Sequence, residues 1–409
     1  YDRLKLLTFL AVVSSQMERV MGMSRIHLML VGKSGAGKSS TIKSVTRFID
    51  GTDMYIPGTR LTQNALGYLD IDTFDGRVLF IDQIDRQNIN YIREAMTEDK
   101  ICTVVTEKET DGEGNERLVT HERCIEGQPA VITTSVADNI DVDREQIFNR
   151  FLKVYTNPET LDTERVVRSI LTRQSDELSE VDKLVFMAYL KSRPQFADIT
   201  PVVDKAEKFV LSLKEYTREP LTRVTEVLRN LIIATAIARG KTKADESDFQ
   251  FVMDNFQLDV LYNGLGLTEG DVEVIKMLPD EGGLKSSEVA DRLRASKQYA
   301  INLLKNLERK GIVEGVKDES KTFTWSLTPL GRKIKSLVNN VDSVVVVRDE
   351  KGNIVGMADY SFRRDGDGGG DTGDTVSRDD GGGVQRGDGE TDRVIEAYKW
   401  LKKNGRALV

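Results

Sequence analysis

The chain has 409 residues, 39% of them hydrophobic and 30% charged, so its length predicts two to four domains with apolar cores. The longest nearly pure apolar run, residues 6–13, is far shorter than the ~20 residues that cross a membrane, which predicts a soluble, cytoplasmic protein. Two cysteines and two histidines exclude a disulfide framework and argue against a zinc site, and a net charge of −8 excludes a uniformly basic nucleic-acid-binding coat.

Alternating strands and helices are predicted for the first part of the chain. Buried strands are expected at residues 26–31, 78–81, 130–134 and 151–155, and helices at residues 1–20, 41–49 and 89–96. Strand-like runs at residues 101–106 and 118–124 flank the turn sequence DGEGN, which predicts a long β-hairpin. This alternation indicates an α/β domain with a mostly parallel sheet over residues 1–157, including its N-terminal helix.

Five further segments follow this domain. They are a helical region at residues 158–262, a winged helix-turn-helix at 268–338, a small hairpin at 341–362, a disordered Gly/Asp-rich linker at 363–390 and the start of a truncated domain at 391–409. Because the chain starts at Tyr1 without an initiator methionine and stops soon after a helical pattern, we expect it to be a fragment of a longer protein.

The strongest motif is GKSGAGKS at residues 32–39, which matches G-x-x-x-x-G-K-[ST] at every fixed position between a strand and a helix. Its glycines let successive backbone N–H groups point at phosphate oxygens, and the helix N-terminus adds partial positive charge. Lys38 is expected to reach the β- and γ-phosphates, and Ser39 to ligate Mg²⁺. The predicted nucleotide-binding residues are Gly32, Lys33, Ser34, Gly35, Ala36, Gly37, Lys38, Ser39 and Ser40.

A second strand, VLFI at residues 78–81, ends in an acidic residue. Asp82 is expected to hold the magnesium ion directly or through water, together with Ser39. The two motifs together predict a phosphate–metal clamp.

Six sequence features occur in a set order along the chain. They are IHLMLVGKSGAGKS, VLFIDQID, REAMTEDKICTV, AVITTS, Asn149-Arg150-Phe151, and Leu221-Thr222-Arg223 with Glu226. In this order, and with the winged helix after them, residues 1–337 resemble AAA+ ATPases, specifically the minichromosome maintenance (MCM) replicative helicases. The resemblance implies an α/β AAA+ P-loop NTPase domain with a long β-hairpin insertion, an α-helical lid and a C-terminal winged helix-turn-helix.

The resemblance also implies ATP and Mg²⁺ as cofactors and a homo-oligomeric ring, for which a hexamer is expected. Arg150 would reach the γ-phosphate of a neighbouring subunit, and Arg223 would contact a γ-phosphate as sensor 2. Thr134 or Ser135 would polarise the attacking water as sensor 1, where the family usually has asparagine. The alternatives are a surface ion pair for Arg150 and a solvated helix face for Arg223.

The sequence departs from the family at three places. Gln83 stands where the family has a glutamate that activates water; because glutamine takes no proton, hydrolysis would be slow unless Asp85 or Glu98 substitutes. The segment between the nucleotide motifs is too short for the family's extra hairpin. It resembles AAA+ modules fused to primases in plasmids and viruses, so a primase or another replication protein is a candidate partner. The hairpin carries many acidic residues near its tip.

Two parts of the chain are candidates for contact with DNA. In the hairpin these are Lys108 and Arg117, with a structural or protein-contacting hairpin as the alternative. In the winged helix, residues 285–336 contain twelve Lys or Arg against six Asp or Glu, and the predicted recognition helix carries Lys297, Lys305 and Arg309. A winged helix that contacts protein is the alternative there.

The two cysteines, Cys102 and Cys124, could face each other across the hairpin. We expect them to be reduced and to serve in packing, because a cytosolic protein keeps its thiols reduced.

These features predict an ATP-dependent, MCM-like DNA helicase or translocase that works as an oligomeric ring in DNA replication. An ATP-switched DNA-binding initiator or regulator with weak hydrolysis is the alternative that Gln83 and the acidic hairpin favour. A remodelling ATPase that binds no DNA is a third possibility, and it predicts that neutralising the basic residues of the recognition helix changes no nucleic-acid affinity.

Overall fold

The computed structural model describes twelve stretches of the chain. They are residues 2–19, 25–32, 34–58, 69–84, 89–110, 116–136, 149–156, 178–217, 220–317, 323–339, 344–348 and 354–359. The predicted linker at 363–390 and the truncated domain at 391–409 lie outside them.

The α/β part contains seven strands and three helices among the described residues. They are α1 (Asp2–Ser14), β1 (Leu28–Val31), α2 (Lys38–Thr46), β2 (Tyr55–Gly58), β3 (Val78–Gln83), α3 (Ile89–Thr97), β4 (Lys100–Thr110), β5 (Glu116–Glu126), β6 (Ala130–Ser135) and β7 (Leu152–Tyr155). Five of the strands form a parallel sheet in the order β2-β3-β6-β1-β7. The predicted parallel α/β sheet is therefore confirmed.

The sheet is buried on both faces, as its continuous apolar strands predict. Side chains of β1 alternate between two apolar clusters: Leu28 and Leu30 face one, and Met29 and Val31 face the other. Strand β2 was not predicted, because Pro57 lies inside it. Among the described strands, β2 is the outermost strand of the sheet and pairs with β3. Proline is tolerated in such an edge strand.

Strands β4 and β5 are antiparallel over their whole length, from the pair Lys100 and Glu126 to the pair Thr110 and Glu116. The predicted hairpin strands are confirmed and are several residues longer than expected. Cys102 lies directly opposite Cys124 with 4.1 Å between their Cα atoms, and the two form a disulfide. The expectation of reduced cysteines is therefore wrong, because the register holds the two side chains on the same face of neighbouring strands.

Among the residues that the structure describes, four α-helices follow in the next part of the chain. They are α4 (Glu180–Lys191), α5 (Val203–Ser212), α6 (Thr222–Ala238) and α7 (Glu246–Gly264). Helix α7 begins at a capping box of Asp245 and Asp248, and the buried Asp248 carboxylate accepts a hydrogen bond from Arg239 at 2.6 Å. The second half of helix α1, from Leu7 to Ser14, is buried on all sides because the helix packs against α2, β6 and α6.

One residue of α7 joins the helical part to the sheet. Asn263 accepts a hydrogen bond from the Lys153 N–H at 2.9 Å and donates one to the Lys153 carbonyl at 2.8 Å. Its amide thus pairs with the edge strand β7 as a further strand would, and leaves neither Lys153 backbone group unsatisfied.

The C-terminal part contains a second sheet with helices around it. Its elements are α8 (Glu269–Met277), β8 (Leu284–Lys285), α9 (Ser286–Leu293), α10 (Lys297–Arg309), β9 (Val313–Lys317), β10 (Phe323–Leu327) and α11 (Pro329–Asn339). The sheet is antiparallel in the order β8-β10-β9, and its two-residue strand β8 was not predicted. Trp325 fills the core and donates a hydrogen bond from Nε1 to the Ser286 hydroxyl at 2.9 Å.

Strands β11 (Val344–Arg348) and β12 (Ile354–Asp359) form an antiparallel pair, as the predicted small hairpin requires. None of the helices in the described ranges is long and apolar enough to cross a membrane.

Candidate nucleotide site

The phosphate loop lies at the carboxyl end of β1, as its motif requires. Gly32 packs against Thr156, which follows β7: a Cβ atom on Gly32 would lie 2.0 Å from the Thr156 hydroxyl oxygen. Gly37 precedes α2 with φ of 72°, a left-handed conformation that favours glycine. Lys33 lies outside the described residues. No motif pointed to Thr156; the available signal was its position directly after a strand that neighbours β1.

Lys38 lies in the first turn of α2 with its side chain directed into the loop. Its Nζ donates a hydrogen bond to the Gly32 carbonyl at 2.7 Å. Burial lowers the pKa of the Lys38 ammonium, and the nearby Asp82 carboxylate opposes this effect. The ammonium is therefore a poorly solvated cation inside the glycine loop, where an anionic phosphate would be its natural partner.

Ser39 and Asp82 meet beside the loop, as predicted. The Ser39 hydroxyl donates a hydrogen bond to Asp82 Oδ1 at 2.8 Å. Strand β3 has a register irregularity between Ile81 and Gln83, so Asp82 lies at a bulge, a device that often aims a side chain at a site. One hydroxyl and one carboxylate at this separation form a hard oxygen donor pair, which fits Mg²⁺.

Thr134 lies next to Asp82 because β6 pairs with β3 on one side and with β1 on the other. Its hydroxyl donates a hydrogen bond to the Asp82 carbonyl at 2.5 Å. The neighbouring Ser135 hydroxyl bonds instead to the carbonyl of Val136 at 3.3 Å. Of the two sensor-1 candidates, Thr134 is the one in contact with the Asp82 segment. The side chain of Gln83 and all of Asp85 lie outside the described residues.

Arg150 lies at the opposite end of the sheet, where its parallel strands begin. We call this end, with Arg150 and Arg223, the arginine edge. It precedes β7, whose first residue, Leu152, pairs with Leu28 at the start of β1, whereas the phosphate loop follows the end of β1. Strand β1 alone separates the two ends of the sheet by about 10 Å, from the three steps between its first and last residues at ~3.3 Å each. Arg150 therefore does not face the phosphate loop of its own chain.

Arg223, in the first turn of α6, is close to Arg150. Burial lowers the pKa of the Arg150 guanidinium most, the positive charges of Arg223 and Arg93 lower it further, and Glu98 and Glu226 act in the opposite direction. Arg223 itself forms an ion pair with Glu226 at 3.0 Å. The same neighbourhood places Glu98 at the Arg150 edge, so Glu98 does not replace the missing acid at the phosphate loop.

The candidate DNA contacts lie on two surfaces. The Lys108 side chain is exposed on β4, and the side chain of Arg117 lies outside the described residues. On α10, Lys297, Lys305 and Arg309 are exposed along one face. The buried face of that helix is formed by Ala300, Leu304 and Leu307.

Comparison with known proteins gives one informative match. The family model described as MTBMA_p00010 P-loop domain matches residues 2–191. No curated protein matches the chain. Together with the contacts of Lys38, the family match shows that these residues contain a P-loop domain, a type that binds nucleotide and Mg²⁺.

Two proteins, SlyA and FabT, are among the similar solved structures. The transcriptional regulator SlyA is 19% identical, with 20% of this chain and 58% of that chain covered and a TM-score of 0.19. FabT from Streptococcus pneumoniae, solved in complex with DNA, is 21% identical, with 26% and 82% covered and a TM-score of 0.19. This chain thus spans less than two thirds of the SlyA chain.

Proposed function

We propose that this chain is an ATP-dependent, MCM-like DNA translocase or helicase that assembles into a ring, with a hexamer expected, and acts in DNA replication. The observation that carries the proposal is the position of Lys38 and Arg150 at opposite edges of one sheet. Each chain then holds one half of a nucleotide site, and a head-to-tail neighbour supplies the other half. Repetition of such a contact closes a ring.

The chemistry at the phosphate loop follows from its contacts. On binding of ATP, the Lys38 ammonium exchanges the Gly32 carbonyl for the β- and γ-phosphates. Ser39 and Asp82 would hold Mg²⁺, which neutralises charge on the phosphates when bound. We assign Thr134 to position the attacking water. Gln83 can orient this water through its amide and cannot take its proton.

The arginine edge supplies the remaining charge. Arg150 and Arg223 lie together, so we assign both to the nucleotide of the neighbouring subunit, where they stabilise the charge that develops on the γ-phosphate. This assignment gives Arg223 its sensor-2 role across the subunit boundary.

The elements beyond the P-loop domain supply DNA contact in this proposal. We assign α4 to α7 to the lid and residues 268–338 to a winged helix-turn-helix with α10 as recognition helix. The three exposed basic residues of α10 suit the phosphate backbone of DNA. Lys108 on the hairpin is the candidate contact in the pore of the ring.

ATP-dependent unwinding of a forked duplex tests this function. We expect Lys38→Ala and Arg150→Ala each to abolish unwinding and ATP turnover, with an arginine finger worth ~10³-fold or more in turnover. Gln83→Glu is expected to raise turnover, because it restores a proton acceptor. Failure of the wild-type protein to bind ATP in the presence of Mg²⁺, or activity that is unaffected by Arg150→Ala, would overturn the proposal.

The second candidate, an ATP-switched DNA-binding initiator or regulator, is favoured by one observation: a glutamine stands at position 83 where a motor needs an acid. It predicts ATP-dependent DNA affinity without unwinding, both in the wild-type protein and after Gln83→Glu.

A further inference from the structure

A third arginine belongs to the edge of the sheet that carries Arg150 and Arg223. Arg93 lies on α3, directly after the buried Ile92, and Arg150 directly precedes the buried Phe151. Ile92 and Phe151 are both buried in the same apolar cluster, so α3 and the residues before β7 lie on the same face of the sheet. The half-buried Arg93 is close enough for its charge to act on Arg150.

The three guanidiniums have too little opposite charge around them. Arg150 Nε is buried without a hydrogen-bond partner in the structure as described. Within the described ranges, neither Arg150 nor Arg93 has a carboxylate oxygen within 4.0 Å, whereas Arg223 has Glu226. Arginine stays protonated in proteins, so this local excess of positive charge persists at all ordinary pH values.

A cluster of three guanidiniums is unfavourable in free energy without an anion, and phosphate is the class of anion that suits it. Guanidinium groups present planar, forked donors that match phosphate oxygens in bidentate pairs. The like charges repel one another until a phosphate group of high negative charge lies among them, and the unpaired Arg150 Nε would then gain a partner.

We propose that Arg93 is a third phosphate-directed arginine, which acts with Arg150 and Arg223 on the triphosphate bound to the neighbouring subunit. This inference rests on the proposed function, because it needs a second copy of the chain whose phosphate loop faces this edge. The same guanidiniums could instead receive a phosphate of the DNA backbone, and the experiment separates these two sources.

The primary test is ATP-dependent assembly of the full chain, measured by sedimentation with ATP and Mg²⁺. We expect Arg93→Gln to raise the protein concentration needed for assembly about tenfold, the effect of losing one charged hydrogen-bonded contact, and Arg93→Lys to restore part of it. The matched control is Arg193→Gln, which replaces a half-buried arginine two residues after the end of α4 and should leave assembly unchanged. Thermal unfolding confirms that each variant is folded.

A second readout uses mixed subunits in the Gln83→Glu background, where turnover is faster. Arg93→Gln subunits keep an intact phosphate loop, and Lys38→Ala subunits keep an intact arginine edge. Mixing them restores competent interfaces, so ATP turnover should exceed the mean of the two separate populations.

The possible outcomes separate a failure of the inference about Arg93 from a failure of the proposed ring function. If Arg150→Ala assembles and turns over ATP normally, the ring proposal fails. If Arg150→Ala is defective and Arg93→Gln behaves like the Arg193→Gln control, the inference about Arg93 alone is wrong. If Arg93→Gln weakens binding to a forked duplex without nucleotide and leaves assembly intact, the phosphate belongs to DNA and the proposal is overturned.

Discussion

At the scale of single residues, His27 shows how the arginine edge acts on its surroundings. His27 is 2% exposed at the start of β1, and its Nδ1 accepts a hydrogen bond from the Val131 N–H at 3.2 Å. Burial lowers its pKa to about 3, Arg25 contributes next, and the charges of Arg150 and Arg223 act in the same direction, against the backbone of Met96. His27 is therefore neutral in the folded protein near pH 7.

This lowered pKa predicts acid sensitivity. Because unfolded histidine binds a proton at a pKa of ~6.5 and folded His27 only near 3, the folded state loses stability as pH falls through this window. The loss is at most ~1.4 kcal/mol per pH unit. His27→Gln keeps an acceptor for Val131 and should flatten the acid limb of a urea-unfolding series. The exposed His121→Gln should not, and an unchanged acid limb in His27→Gln would contradict the assignment.

The sequence predicts the phosphate loop residue by residue because a fixed local spacing carries its chemistry. Ser39 contacts Asp82 as expected, and the Lys38 ammonium lies in the loop on the Gly32 carbonyl. Thr156 could not be predicted, because its contact with Gly32 joins residues more than a hundred positions apart. The choice between Thr134 and Ser135 also needed the pairing of β3 with β6, which no local pattern specifies.

At the scale of elements, the hairpin of β4 and β5 is closed near its base by the disulfide. Ile101, Val105 and Ile125 are buried, whereas Val104 and Leu118 are exposed on the other face. The disulfide spans 22 residues of sequence. A disulfide that closes a loop of this length stabilises the folded state by about 3 kcal/mol, because it restricts the conformations of the unfolded chain.

Reduction should therefore loosen this hairpin and leave the parallel sheet intact. We expect a thiol reductant to speed hydrogen exchange of the hairpin amides by up to ~100-fold, which is the exchange equivalent of about 3 kcal/mol. The double variant Cys102→Ser, Cys124→Ser should exchange at the fast rate with and without reductant. Equal exchange of the wild-type hairpin in both conditions would show that the disulfide does not stabilise it.

Elements with strong internal patterns were predictable, and short ones were not. Strand β1 and helix α10 follow from continuous apolar and amphipathic patterns. Strands β2 and β8 have only four and two residues, and they exist because a neighbouring strand offers them hydrogen bonds. Such strands depend on tertiary context that a local sequence window does not contain.

At the scale of the whole molecule, DNA contact should be concentrated on α10 although the chain is acidic overall. Each phosphate neutralised by a basic side chain contributes ~0.9 to the slope of log affinity against log salt. Replacing Lys297, Lys305 and Arg309 by glutamine should thus reduce this slope by about 3 in fluorescence anisotropy with a forked duplex. The control carries glutamine at three exposed lysines elsewhere: Lys191, Lys208 and Lys214.

An unchanged slope in the α10 variant would favour the remodelling ATPase that binds no DNA. A reduced slope in both variants would point to diffuse charge attraction with no particular surface. Sequence alone could not decide between these outcomes, because a count of basic residues does not show which of them share a face.

The amide of Asn263 has a mechanical consequence. This amide forms hydrogen bonds with Lys153, on the strand that begins just after Arg150. Only three residues connect the end of α7 to Thr268, the N-cap of α8. A connection of three residues is too short to act as a flexible linker between the two helices. In the proposed ring, a pull of bound DNA on α10 would therefore be transmitted toward Arg150, which the neighbouring subunit would use in hydrolysis, through contacts that include the Asn263 amide.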